Sequence, residues 1–293
     1  MRSEKERKAR LFIDECEKRY TESVKACALT VSKTANIRYI ALSGPTCSGK
    51  TTTAEILINE LNSYGFEAVV VSIDHFFRNR ADLVSEAKRN GTPLDMDSVK
   101  AIDLDALTEF LAGIDEGRDV FLPYYDFTLG ERSGGETVIP KKNSLYIFEG
   151  IQAFYPEVVS LFKVECLLRV FISPMRSLDC GGVILSGREQ RLLRRILRDS
   201  KFRGTGALST FNHWSEVVKN EQINIDPYKD TADFVIDSTM PYELSVMKNE
   251  LSVLLEALPE VEDKKKLRAA LDCFESISKD LVPSDSVIRE FIG

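Results

Sequence analysis

The stretch Ile37-Arg38-Tyr39-Ile40-Ala41-Leu42-Ser43, followed by Gly44-Pro45-Thr46-Cys47-Ser48-Gly49-Lys50-Thr51, decides the fold. Its first half reads as a strand buried on both faces. Its second half satisfies GxxxxGK[ST] at every fixed position. The order strand, loop, helix is what gives the pattern meaning. Glycines let the backbone curl until successive N–H groups face one point. The N-terminus of the helix expected from Lys50 to about Leu61 adds partial positive charge there. Lys50 is placed to reach β- and γ-phosphates and Thr51 to hold Mg²⁺, with Thr52 beside it on the first turn. Cys47 reads as a small residue tolerated in the loop.

Working outward, Phe66–Ile73 is a second buried strand, so β, turn, α, β follow one another and predict a parallel sheet. Leu145–Phe148, Leu167–Ile172 and Phe234–Ile236 supply third, fourth and fifth strands. The fold class expected is α/β: a P-loop NTPase three-layer αβα sandwich with a mostly parallel sheet, plus N- and C-terminal helices. Upstream, Phe12, Cys16, Tyr20, Val24, Ala28 and Val31 recur at steps of three and four, a packing stripe on one helix over 9–33. Downstream, 78–100 reads as a long loop and 101–111 as a helix. The stretch 122–137 reads as a binding loop or a hairpin, and 188–199 as an arginine-rich helix. From Tyr242 helical spacing resumes, a charged break falls at 259–266, and further helix runs to about Ser278. The apolar end of 283–293 is placed to dock on the core. The division expected is a helical extension over 1–36, a kinase-type domain over 37–245 with an arginine lid near 186–206, and a helical extension over 246–293.

Composition narrows the function classes. The 293 residues carry 39 Lys and Arg against 46 Asp and Glu, a net charge of −7, which argues against wrapping nucleic acid. No apolar run is long enough for a membrane span, and acids follow the basic first residues where a signal peptide needs an apolar core. A cytoplasmic location is expected. Six scattered cysteines without a CxxC pair, and two histidines, do not make a zinc site. The oligomeric state stays open, a homo-oligomer included.

Phosphoryl transfer needs charge neutralisation and positioning, so carboxylates at the C-terminal ends of neighbouring strands are the candidates. Asp74 ends the second strand. It is placed to take the proton of an attacking hydroxyl, to bind Mg²⁺, or to cap the next segment. Glu149 ends the third strand and suits a carboxylate acting on the metal, directly or through water, or a solvent-facing strand end. Arg191, Arg194, Arg195, Arg198 and Arg203 form a basic cluster that either closes over a triphosphate or faces solvent. The DxxG match at Asp179–Gly182 comes without an NKxD motif and reads as chance.

The motifs GPTCSGKTT, SIDHFF, LPYYDF, FEGIQAFYPEV and RLLRRILRD occur in the order of the uridine kinase and phosphoribulokinase family, which residues 37–245 resemble. ADFVIDSTMPYELSVMK and SDSVIREFIG look similar to a bacterial nucleoside kinase branch. The resemblance implies transfer of the γ-phosphate of ATP or GTP, with Mg²⁺, to a hydroxyl of a nucleoside such as uridine. It implies that Asp74 is the base, that Asp95 hydrogen-bonds sugar hydroxyls, and that Phe77, Tyr125 and Phe127 wall the acceptor. The arginine helix would be the lid, with Arg194 and Arg198 on the transferring phosphate, Arg195 and Arg203 on the nucleotide and Arg191 toward the acceptor. The chain departs from the pattern at Gly130, where uridine kinases carry a histidine that contacts the pyrimidine. The acceptor is therefore open: a nucleoside, or else a non-nucleoside hydroxyl compound or sugar phosphate. A reading from another class is a non-catalytic nucleotide-binding regulator.

Overall fold

The structure, a computed structural model, describes residues 4–293. Five parallel strands form the central sheet: β1 (Tyr39–Ser43), β2 (Glu67–Ser72), β5 (Ser144–Glu149), β6 (Leu167–Ser173) and β9 (Phe234–Asp237), in the order β2-β5-β1-β6-β9. Two hairpins stand outside it, β3 (Val120–Asp126) with β4 (Glu131–Val138), and β7 (Leu178–Cys180) with β8 (Val183–Leu185).

Period-2 alternation sends the strand side chains into two separate apolar layers. Ile40, Leu42, Leu145, Ile147, Val170 and Ile172 pack into one. There they meet α1 (Glu4–Lys33), α2 (Lys50–Ser63), α6 (Gly187–Phe202), α8 (Glu243–Glu256) and α9 (Glu262–Asp272). Tyr39, Ala41, Tyr146, Phe148 and Phe171 pack into the other, beneath α4 (Leu104–Glu116) and the first hairpin. This is the three-layer αβα sandwich expected from the strand pattern.

The stripe of α1 is buried as Ile13, Cys16, Tyr20, Val24, Cys27, Ala28 and Val31, whereas Phe12 is exposed, so the stripe enters the core at Ile13. Tyr20 Oη lies 2.6 Å from Thr53 Oγ1 and braces α2 from behind. The segment 78–100 departs from the expected loop. It contains α3 (Arg80–Asn90), closed by Gly91 in the left-handed region. Only Leu83 of this helix is buried, which removes the apolar stripe that would have revealed it. The polar stretch 207–224 also forms a helix, α7 (Ala207–Asn224), and the charged break already begins α9 at Glu262. Asp179 accepts from the Gly182 amide at 2.8 Å, an ordinary turn between β7 and β8.

Residues before 37 and after 245 share the apolar layer of the sheet. Val287, Ile288, Phe291 and Ile292 are fully buried, close to α10 (Arg289–Ile292). No described helix is long and apolar enough to cross a membrane.

Candidate active site

The loop Gly44–Gly49 closes on the C-terminal end of β1. Its backbone runs so near β6 that a Cβ on Gly44 would stand 2.1 Å from the Ile172 carbonyl oxygen. Gly49 has φ +93° and caps α2, a conformation that side chains resist. Cys47 also lies in the left-handed region, at φ 58°. Its thiol is buried, and burial pushes its pKa up, so it is inert packing rather than a nucleophile. Lys50 Nζ folds back over the loop and donates to the carbonyls of Gly44 at 2.9 Å and Pro45 at 3.1 Å. Thr51 is exposed on the first turn of α2, with Thr52 half-buried beside it. Thr46 is half-buried, while Pro45 and Ser48 are buried.

Sheet order brings the carboxylates to this loop. β5 lies between β1 and β2, with Glu149 in register with Leu42 on one side and Ser72 on the other. Asp74 follows two residues after Ser72, in a single 3₁₀ turn. Its carboxyl is pushed from an ordinary 3.8 up to about 6, first by burial and then by the Glu149 carboxylate. Lys50 and Arg203 pull the other way, and Asp97 pushes up. Asp74 thus lies in the field of the loop lysine, a second carboxylate and a lid arginine.

Sequence reading missed two members of this group. Asp97 is held by Asn220 Nδ2, which donates to its carboxylate at 2.8 Å, and its backbone carbonyl accepts from Tyr155 Oη at 2.8 Å. Burial raises its pKa against the pull of that hydrogen bond, and Arg195 and Lys50 also act on it. Asp95, the residue expected from the motif, is occupied locally and meets Asn220 only at 3.5 Å. Its Oδ1 accepts the amides of Asp97 and Ser98 at 3.0 and 3.2 Å, a local turn. Asp97 lines a cavity of about 210 Å³ together with Thr46, Tyr155, Arg195, Arg203 and Asn220. The second missed residue is His75. Its Nδ1 accepts the Tyr125 amide at 3.3 Å, which fixes β3 against the turn that carries Asp74. Burial lowers its pKa, in keeping with a neutral ring that accepts at Nδ1. A signal for Asp97 existed in its spacing from Asp95, but the α7 partner that orients it is 123 residues away.

The lid arginines divide. Arg194 is fully buried, with its Nε 2.7 Å from Glu243, and it donates to the carbonyls of Ser238 and Cys47. Arg191 makes a two-pronged pair with Glu221 at 2.6 and 2.7 Å and donates to the Thr46 carbonyl at 3.1 Å. Both are engaged by the protein, which corrects the expectation that they face phosphate or acceptor: they bolt α6 to the loop. Arg195, Arg198 and Arg203 all pair with the single carboxylate of Asp199. With Glu290 3.8 Å from Arg198, two acids face three arginines, which leaves a net positive cluster. Partial desolvation and the neighbouring Arg198 depress the pKa of Arg203 there, although its side chain stays largely exposed.

Beside the turn that carries Asp74, Phe77, Tyr125 and Phe127 form an edge-to-face trio with centroids 5.2–6.1 Å apart. Phe127 is exposed, while the Tyr125 hydroxyl is buried without a hydrogen-bond partner. Gly130, at φ +77°, has no room for a side chain: a Cβ would stand 2.9 Å from Arg80 Cβ. Arg80 crosses this place and donates to the Phe127 carbonyl at 2.7 Å.

Among the described residues no three acidic, histidine or cysteine side chains gather as an all-protein metal site. One threonine hydroxyl and nearby carboxylates are a hard-oxygen donor set, which fits Mg²⁺ carried largely by phosphate and water.

Sheet order, loop and rim carboxylates define the class as a three-layer αβα P-loop kinase fold. The profile of the "Phosphoribulokinase / Uridine kinase family" matches residues 39–245. The chain belongs to this family. It is 31% identical over 190 residues to a uridine kinase of Schizosaccharomyces pombe, covering 62% of this chain but only 36% of that protein. It is 28% identical over 204 residues to a uridine kinase of Staphylococcus haemolyticus, covering 69% of this chain and 88% of that one. Among solved structures, a possible uridine kinase from Bacillus stearothermophilus shares 21% identity at a TM-score of 0.47, over 74% of this chain and 98% of that one.

Proposed function

We propose that the chain transfers the γ-phosphate of ATP or GTP to a hydroxyl of a small molecule, with a nucleoside as the acceptor class. The observation that carries this reading is the placing of Asp74 in the shared field of Lys50, Glu149 and Arg203 at one sheet edge. A pure nucleotide sensor has no use for a carboxylate with a raised pKa beside its phosphate loop. The acceptor hydroxyl approaches Asp74, which orients it and takes its proton as the new P–O bond forms. Lys50 and the loop amides hold the β- and γ-phosphates, and Arg195, Arg198 and Arg203 neutralise charge on the transferring group. Thr51 and Glu149 would hold Mg²⁺, which when bound screens the phosphate oxygens. The Phe77–Tyr125–Phe127 wall offers a face for a planar base. Asp97, oriented by Asn220, supplies the acceptor's remaining hydroxyls with a charged hydrogen-bond partner.

Lys50→Ala is expected to weaken binding of a non-hydrolysable triphosphate at least about tenfold, the scale of one charge-assisted hydrogen bond. Isothermal titration would read it, and unchanged affinity would remove the loop from this role. Asp97→Asn is expected to raise the KM for the acceptor about 10- to 100-fold while kcat changes little. An equal loss of kcat with unchanged KM would place Asp97 in the chemistry instead. Acceptor identity is read from a panel of nucleosides, sugar phosphates and other hydroxyl compounds with coupled ADP detection. The wild-type chain is expected to consume triphosphate with at least one nucleoside.

A further inference from the structure

We propose that residues 283–293 are a plug seated on the donor side of the phosphate loop, with the Glu290 carboxylate standing where donor phosphate charge belongs, and that nucleotide enters only as this plug swings off. The proposal rests on the reading of Gly44–Thr51 as a triphosphate cradle and adds a gate to it.

Position comes first. Val287 Cγ2 sits 2.1 Å from where a Cβ on Gly49 would be, so the segment lies directly on the curled loop. The Phe291 ring stacks 5.2 Å from the Arg194 guanidinium, whose Nη1 donates to the Cys47 carbonyl. Charge comes second. Glu290 Oε1 lies 3.8 Å from Arg198 Nη1; burial raises the pKa of Glu290, and Lys50, Arg198, Arg194 and Arg203 pull it back down. Its other carboxylate oxygen is buried with no hydrogen-bond partner. In its ionised form this carboxylate is a resident anion among these cations, not fully bonded by any of them. A triphosphate at Lys50 brings like charge to the same place, and the two repel in a poorly solvated site.

The transfer geometry explains why the donor must meet the plug. Asp74 and Glu149 occupy the acceptor side of the loop. In-line displacement sends the rest of the donor away from the acceptor, and we place it beside Lys50 and Arg198, where Glu290 stands. The docking is extensive enough to be the resting state. Val287, Ile288, Phe291 and Ile292 are buried against the core. Ser286 Oγ donates to Glu17 at 2.5 Å, Tyr242 Oη also bonds Glu17, and Lys201 donates to the Ile292 carbonyl at 2.9 Å. Pro283 begins the segment, and Arg289 bonds the carbonyls of Pro283 and Gly293 within it and those of Lys279 and Val282 just before it, so it is tied both internally and to the chain that leads into it. Donor binding and plug seating then oppose each other, and the observed donor affinity is lowered by the fraction seated.

The test uses the full chain and the magnesium salt of a non-hydrolysable ATP analogue. Glu290→Gln is expected to bind the analogue at least about tenfold more tightly than wild type, the scale of a like-charge contact removed. Tyr242→Phe, which loosens the clamp without touching the loop, is expected to shift affinity the same way by a smaller factor. Hydrogen exchange on the wild-type protein needs no variant: the amides of 286–292 are expected to exchange faster when the analogue is added. Weaker binding by Glu290→Gln, or greater protection of 286–292 with analogue, would make the segment a wall of the donor site and overturn the plug. If wild type binds the analogue through Lys50 and Glu290→Gln binds no tighter, the plug falls and the cradle stands. If neither binds it, and Lys50→Ala changes nothing, the cradle falls as well.

Discussion

Asp74→Asn is expected to lower turnover at least about a hundredfold while leaving triphosphate affinity within a few-fold of wild type, the usual scale for losing a general base. The same side chain predicts the pH profile. As the proposed base, Asp74 must be ionised, and burial together with Glu149 pushes its carboxyl up to about 6. kcat/KM for the acceptor should therefore fall about tenfold per pH unit below about 6 and level off above it. The limb should vanish in Asp74→Asn. Stability should move the other way. A carboxyl raised from 3.8 to about 6 contributes stability that is present below the lower value and lost as pH rises through the higher one. At neutral pH the ionised Asp74 costs the fold on the order of 2 kcal/mol, allowing for screening and for its coupling to Glu149. Asp74→Asn is thus expected to gain stability in chemical denaturation at pH 7.5, and the gain should shrink toward pH 4. A variant that is inactive, less stable and without pH-dependent gain would show Asp74 to be a structural residue.

The second large effect lies at Arg194, where loss of the guanidinium attacks the fold before the chemistry. Its Nε meets Glu243 at 2.7 Å in a fully buried pair, and its other nitrogens hold the carbonyls of Cys47 and Ser238. Arg194→Ala leaves Glu243 charged and unpaired in the core, which costs about 3–5 kcal/mol. Burial already raises the pKa of Glu243, with Arg194 as the opposing influence, so removing Arg194 raises it further. The denaturation midpoint should therefore fall more at pH 8 than at pH 5, since protonation relieves the stranded charge. Adding Glu243→Gln to Arg194→Ala should restore part of the stability. Arg203→Ala, by contrast, removes an exposed cation tied only loosely to Asp199, and should change stability by less than about 1 kcal/mol while slowing turnover. If Arg194→Ala kept wild-type stability and lost only turnover, the guanidinium would belong with the phosphate-facing set.

These two residues show what can and cannot be read from a linear chain. Asp74 was legible because it ends an apolar run, and the C-terminal edge of a parallel sheet is where such folds work. Arg194 was misread because helical spacing tells which arginines share a turn, not which of them meets a buried glutamate 49 residues later. Asp95 and Asp97 differ for the same reason. Both are acids in one short motif, but only the second meets Asn220 from α7 well enough to be held toward the cavity.

The sequence by itself determined the phosphate loop, its flanking strand and helix, and the parallel sheet, because each depends on local periodicity and on glycines at fixed spacing. It also marked Asp74, Glu149 and the arginine cluster as the charged groups worth following. Tertiary structure decided which arginines are locked in buried pairs and which share Asp199, which aspartate faces the cavity, and that Arg80 fills the space beside Gly130. It also decided that residues 283–293 lie on the loop at all, a contact of Val287 with Gly49. Such pairings are set by packing between elements far apart in the chain, and their free energies exist only once the layers have closed on one another.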